Sequence, residues 1–301
     1  MAIRICIFIN LLWLSAHLCG YTLTSEKTVI LGDTVHMSAG VILLTDDFTV
    51  NTDTALFFRR DSVVVMPRKL VVTRSDSTVI NAESGVYFMR GKVFNLFSQT
   101  TDKSGSFLIE SDSLNILLNE SLFIYTINPV LYFDSRRSFA SGDTIEYSFA
   151  DDTMRLFNKS IFNKNEGYTI ESDTTIIMPD DSIYTFYHSC IVRIDSIQLE
   201  TDSLVYTAKK DYAKTYGRTI IENDNITLSA DTVKMLFKND SLDFMIAYRN
   251  VDFRAIEENE DVSILCDSLE SKLEQNKMKK TFFYLITKSE LETREENDIK
   301  E

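Results

Sequence analysis

Nine acidic residues recur along this chain, and a hydroxyl follows each of them. The acids are Asp33, Asp53, Glu83, Asp112, Asp143, Asp173, Asp202, Asp231 and Asp267, and Thr34, Thr54, Ser84, Ser113, Thr144, Thr174, Ser203, Thr232 and Ser268 stand behind them. Carboxylates in such number point first to calcium, and Asp–Ser pairs to a hydrolytic triad. Calcium gathers several oxygens at one centre, whereas single carboxylates about 30 residues apart supply few per site. The glycine-rich nonapeptide of calcium-binding β-rolls is also absent. A triad needs a histidine, and the chain has His17, His36 and His188, far apart. No His/Cys set has metal-ligand spacing, and no glycine-rich loop offers a phosphate cradle. The acids therefore read as stacked turn residues, short polar side chains bonding to nearby backbone. No metal, cofactor or enzymatic activity is expected.

The elements that carry these acids follow from their spacing. Successive anchors lie 20, 30, 29, 31, 30, 29, 29 and 36 residues apart, and three before each stands Ile30, Val50, Ile80, Ile109, Ala140, Ile170, Leu199, Leu228 or Ile264. A fixed period near 30 residues marks a repeat architecture. Apolar side chains recur two and four residues after the anchors, as in Leu114 and Ile116, Ile145 and Tyr147, Leu204 and Tyr206, and Val233 and Met235. That is the period of a half-buried strand. Each repeat reads as a strand headed by the acidic anchor, then a looser second strand roughly fifteen residues on, such as Tyr184–Phe186. With 3 Pro and 9 Gly in 301 residues, little interrupts the strands. One repeat cannot bury its own apolar face, so neighbours must stack. The expected fold is all-β, one elongated repeat stack.

Charge and the termini set the class. A formal net charge of −14 disfavours a nucleic-acid partner, which requires a basic surface. Residues 1–20 differ from the rest: Arg4, the apolar run Ile5–Leu14 and the smaller residues up to Gly20 form a secretory signal pattern, too short for a membrane span. Export to the periplasm follows, with an uncleaved anchor or a lipidated Cys19 as alternatives. Cys190 and Cys266 read as two small, half-buried side chains rather than a disulfide. The triplets at Asn119, Asn158, Asn225 and Asn239 fit the glycosylation pattern, which arises by chance in such a composition. Residues 287–301, rich in Glu and without strand alternation, are expected to be a mobile acidic tail after a β-repeat domain over 21–286.

Phrases such as Ser229-Ala230-Asp231-Thr232-Val233, Glu200-Thr201-Asp202-Ser203-Leu204-Val205-Tyr206 and Ser141-Gly142-Asp143-Thr144-Ile145-Glu146-Tyr147 resemble the strands of OstA-like proteins, a family that includes the LptA-type proteins of lipopolysaccharide transport. Asn239–Phe253 is similar to the family's following strand, with Arg249 where Gly is usual. The resemblance covers roughly residues 27–286. It implies an open β-jellyroll whose apolar groove shields the acyl chains of lipopolysaccharide or lipid A. It also implies end strands that pair with other bridge proteins or head-to-tail with a second copy. The groove candidates are Leu114, Ile116, Ile145, Tyr147, Ile177, Leu204, Tyr206, Val233, Met235 and Phe237. The competing reading is a structural or adhesive β-solenoid with a packed interior.

Overall fold

The computed structural model describes residues 21–103, 106–133, 136–165, 167–256, 260–274 and 276–293. The expected signal segment and the end of the expected tail lie outside the described residues. Apart from short turns such as the 3-10 turn Leu118–Glu120, the described residues form 23 strands, and the chain is all-β as expected. The first eleven are β1 (Thr22–Thr24), β2 (Lys27–Leu31), β3 (Thr34–Leu44), β4 (Phe48–Phe58), β5 (Val63–Met66), β6 (Leu70–Arg74), β7 (Thr78–Phe88), β8 (Val93–Lys103), β9 (Phe107–Leu117), β10 (Leu122–Thr126) and β11 (Val130–Phe133). Then come β12 (Ser138–Ser141), β13 (Thr144–Ser148), β14 (Thr153–Lys164), β15 (Tyr168–Met178), β16 (Ile183–Ile194) and β17 (Ile197–Thr207). The last six are β18 (Tyr212–Glu222), β19 (Ile226–Ala230), β20 (Thr232–Lys238), β21 (Ser241–Ile256), β22 (Glu260–Glu274) and β23 (Lys277–Thr293). No helix among the described residues is long and apolar enough to cross a membrane.

The strands group into two compact units. Unit one holds the described residues up to Phe133 together with Thr144–Asp152, and unit two holds the rest. Each is an antiparallel meander, strand beside its successor, as β7–β8–β9 in unit one and β14–β15–β16–β17–β18 in unit two. The long strands do not run straight. Register shifts occur mid-strand, between Ser38 and Val41, Phe157 and Ser160, Tyr187 and Cys190, and Tyr248 and Val251. Left-handed residues sit there: Ala39 and Gly40, Asn158 and Lys159, His188 and Ser189, Arg249 and Asn250. Such bulges bend a strand. Repeated at the same register, they put a crease across each meander and leave a limb on either side.

The anchors after Asp33 sit at this crease; Asp143 and Asp231 stand just before β13 and β20 as expected, whereas the others lie inside a strand, which corrects their expected place at its head. Asp112, Asp173, Asp202 and Asp267 lie in the middle of β9, β15, β17 and β22. Their backbone and side chains hold the bulge of the next strand. Asp112 N–H donates to the Ile127 carbonyl at 3.0 Å and Asp231 N–H to Arg249 at 3.1 Å. Asn128 and Asn250 amides donate to the Asp112 and Asp231 carboxylates at 3.1 and 2.8 Å. The anchor thus ties the bend through its backbone and, at Asp112 and Asp231, through its carboxylate as well.

Asp33 is not one of this row. It stands in the tight turn between β2 and β3, beside Gly32 at φ +60°. Its place is taken by Glu26, whose N–H donates to the Ala39 carbonyl at 3.0 Å. The interval to Asp53 becomes 53 − 26 = 27 residues instead of 20, and the irregular first spacing disappears. Glu26 escapes the pattern because Lys27 follows it, not a hydroxyl.

At the C-terminal end, β23 runs on to Thr293, with Glu290 opposite Ser263 and Leu291 opposite Val262. Residues 287–293, expected in the tail, therefore form strand. Backbone pairing to β22 needs no apolar alternation where both faces are exposed, as they are along 284–291.

Candidate functional site

The limbs of each unit close on each other over an apolar interior. In unit one Phe48 on one limb meets Phe123 on the other at 6.4 Å between ring centres, and the Arg74 guanidinium lies 4.0 Å from the Phe149 ring. In unit two the Tyr168 ring stacks on Phe237 at 4.8 Å, and the Asn165 amide donates to Asp240 at 3.2 Å. The crease is covalently continuous, whereas the tips opposite it are joined by side-chain contacts. That open side is the mouth.

All ten groove candidates point inward, four in unit one and six in unit two. Leu114 and Ile116 on β9 and Ile145 and Tyr147 on β13 are at most 1 % exposed. Ile177 on β15, Leu204 and Tyr206 on β17, and Val233, Met235 and Phe237 on β20 are at most 8 % exposed. The interior is filled by its own side chains in this structure. Tyr147 packs edge-on against Phe107 and Phe123, and Tyr206 against Tyr168 and Phe237. A cavity in unit two lined by Ile197, Ile221, Leu242, Met245 and Leu273 holds about 10 Å³, room for one water.

The two aromatic candidates are tied at their polar ends. Tyr147 donates its hydroxyl to Asp152 Oδ1 at 2.6 Å, and Tyr206 to Asp211 Oδ1 at 3.1 Å. Each Asp stands five residues on, in a turn with φ +52° or +44°. Burial, and then the neighbouring carboxylate, hold the Tyr147 phenol above its ordinary pKa, and burial dominates at Tyr206 also. Lys103 Nζ reaches the same Asp152 Oδ1 at 2.5 Å from the opposite limb. Unit one thus has a charged clasp across its mouth.

A second interior feature was not legible as such. Ser and Thr at the inner side of the crease, Ser172 and Thr201 directly before their anchors and the others near the bends, bond to one another. Ser160, Ser172 and Thr175 do so at 2.6–3.1 Å, and Thr215 and Thr219 at 2.7 Å, with Thr201 at 3.1 Å from Thr219. Their hydrogen bonds satisfy them within an apolar surrounding, and both described histidines, His36 and His188, are exposed. Among the described residues no group of His, Cys, Asp or Glu is placed to hold a metal.

A scan against protein-family models finds no match, and no curated protein is significantly similar to the chain. Function must be argued from the interior and the surface.

The aromatics that complete the interior were missed because they lie off the anchor pattern. Phe107 and Tyr168 begin their strands five residues before an anchor, and Phe123, Phe162, Tyr184 and Phe186 lie on the bulged strands. The signal that could have found them is period-two alternation on those strands, as in Tyr184 and Phe186.

Proposed function

We infer that the chain is an exported, non-enzymatic lipid-shielding protein of OstA-like kind. It holds the acyl chains of lipopolysaccharide or lipid A between its limbs on the way to the outer membrane. The observation that carries this reading is the apolar interior between two limbs that join at the crease and are clasped by side chains at the mouth. Parting the tips exposes apolar side chains, and an acyl chain covers them again. A dozen methylenes contribute about 10 kcal/mol at about 0.8 kcal/mol each. That is enough to offset the loss of a few ring contacts and one ion pair.

The terminal strands fit a bridge. β2 pairs with β3 alone and β23 with β22 alone among the described residues. Leu31 is 60 % and Leu285 73 % exposed there. Such edges accept a further strand, from another bridge protein or a second copy. The closed packing around Tyr206 favours one other reading, a structural scaffold with a permanently filled interior. Mass spectrometry of lipid extracted from protein purified out of membranes, without added detergent, separates the two. Acyl lipid in near-equal amount to protein supports the shield, and folded protein free of lipid supports the scaffold.

A further inference from the structure

The outer face of unit two carries a second pattern along the crease. Tyr187, Tyr216, Tyr248 and Tyr284 each stand just before the bulge, on β16, β18, β21 and β23. The strands between them place a hydroxyl in the same row. Ser203 lies opposite both Tyr187 and Tyr216, Thr232 opposite Tyr248, and Ser268 opposite both Tyr248 and Tyr284. Directly opposed residues share a face of the sheet, and their chain neighbours Phe186, Thr215, Ala247 and Leu269 are buried, so the row faces outward. Tyr187, Tyr216 and Tyr284 are among the exposed large side chains. The hydroxyls of this row, Ser203, Thr232 and Ser268, are those that follow the anchors Asp202, Asp231 and Asp267.

Sheet stability does not require the rings. Unit one builds the same row as Ser84, Phe97, Ser113 and Thr126, with one aromatic. The tyrosines are an addition of unit two.

We propose that this row binds an extended, uncharged β-linked glycan. Rings on every second strand repeat at about 9.6 Å, twice the strand spacing, and in a β-1,4-linked chain every second sugar presents the same face. Between and beside the rings stand Ser, Thr, Asn250 and the carboxylates of Asp202 and Asp267, which can donate to and accept from sugar hydroxyls. Rigid Tyr with adaptable Ser and Asn is the make-up of a recognition surface. The carboxylates, within a net charge of −14, exclude a polyanion. Lys214 and Lys234 rest on the Tyr216 and Tyr248 rings at 4.4 and 4.9 Å, and they are the flexible side chains a sugar would replace.

Native gel electrophoresis of the full chain through hydroxyethyl cellulose, a neutral β-1,4-glucan, tests this against α-linked dextran. Retardation by the β-glucan alone is expected. Tyr216→Thr with Tyr248→Thr introduces the residue type that unit one already carries in its row at Thr126. The pair should weaken retardation about tenfold while the circular dichroism and Tm hold. Lys214→Ala with Lys234→Ala should strengthen it. Absence of retardation, equal retardation in dextran, or an undiminished effect in the folded tyrosine variant would overturn the proposal.

Discussion

Adding one methyl group at Gly167 should pry open the mouth of unit two. Gly167 stands at the tip of one limb, against the Asp240 turn at the tip of the other. A Cβ built there would lie 2.5 Å from Asp240 Cβ and 2.8 Å from its carbonyl oxygen. Ordinary contact needs about 3.5–4.0 Å, so the tips must part by about 1 Å. The obstacle is backbone and Cβ, which cannot swing away as a long side chain could. The neighbouring Tyr168–Phe237 stack at 4.8 Å and the Asn165–Asp240 bond at 3.2 Å would be strained together with it. Overpacking of this kind costs about 1–3 kcal/mol, or a fall in Tm of roughly 2–12 °C for a unit of this size. Gly91→Ala is the control, since its nearest neighbour would be Val93 at 3.6 Å, and it should leave Tm unchanged or slightly raised. Thermal unfolding followed by circular dichroism measures both. Equal Tm values for Gly167→Ala and wild type would refute the reasoning, because the tips would then not touch in solution.

Alkali should unfold the protein in a way its composition alone does not require. Burial raises the Tyr147, Tyr168 and Tyr206 phenols above their ordinary value of about 10, so the folded chain keeps protons that the unfolded chain releases. Their stabilisation is complete below pH ~10 and falls above it by up to about 1.4 kcal/mol per pH unit for each phenol; urea midpoints that stay level between pH 9 and 11 would contradict this. Cys190 and Cys266 are free and buried, and burial pushes the Cys190 thiol up to about 12. With Cys6 and Cys19 replaced by Ser, neither thiol should react with Ellman's reagent until denaturant is added. Ile127 is β-branched, 59 % exposed and left-handed at φ +61°, so Ile127→Asn should stabilise unit one by about 1 kcal/mol in denaturant unfolding.

The strands were legible because period-two alternation is local, and the 30-residue period because the crease demands the same chemistry at each pass. Which end of the period a residue occupied was not. Asp33 and Asp53 satisfy the same residue pattern, yet one turns a hairpin and the other lies mid-strand, since Asp serves left-handed turns and bulges alike. The bend itself was hidden. Glycine marks it only at Gly40 and Gly217; Asn158-Lys159, His188-Ser189 and Arg249-Asn250 are left-handed pairs with no glycine to announce them. Inward alternation marked Tyr147 and Tyr206 correctly as interior, but their hydroxyl partners Asp152 and Asp211 are set by turn geometry. Lys103 and Arg74 read as surface charges until the limbs close. Some contacts between limbs join residues 49 and 75 positions apart, as Lys103 to Asp152 and Arg74 to Phe149, and no local pattern encodes them.

Locking the mouth tests the lipid-shielding account most directly. Asn165→Cys with Asp240→Cys can be joined by a short bifunctional thiol reagent, since the native side chains lie 3.2 Å apart. A photoreactive side chain at Leu204, wholly buried in the interior, then reports on lipid. The unlinked protein should crosslink to lipopolysaccharide on irradiation, and the linked protein should lose most of that crosslinking while remaining folded. Crosslinking that is absent before linking, or unchanged after it, would contradict an interior that opens at the tips to take acyl chains.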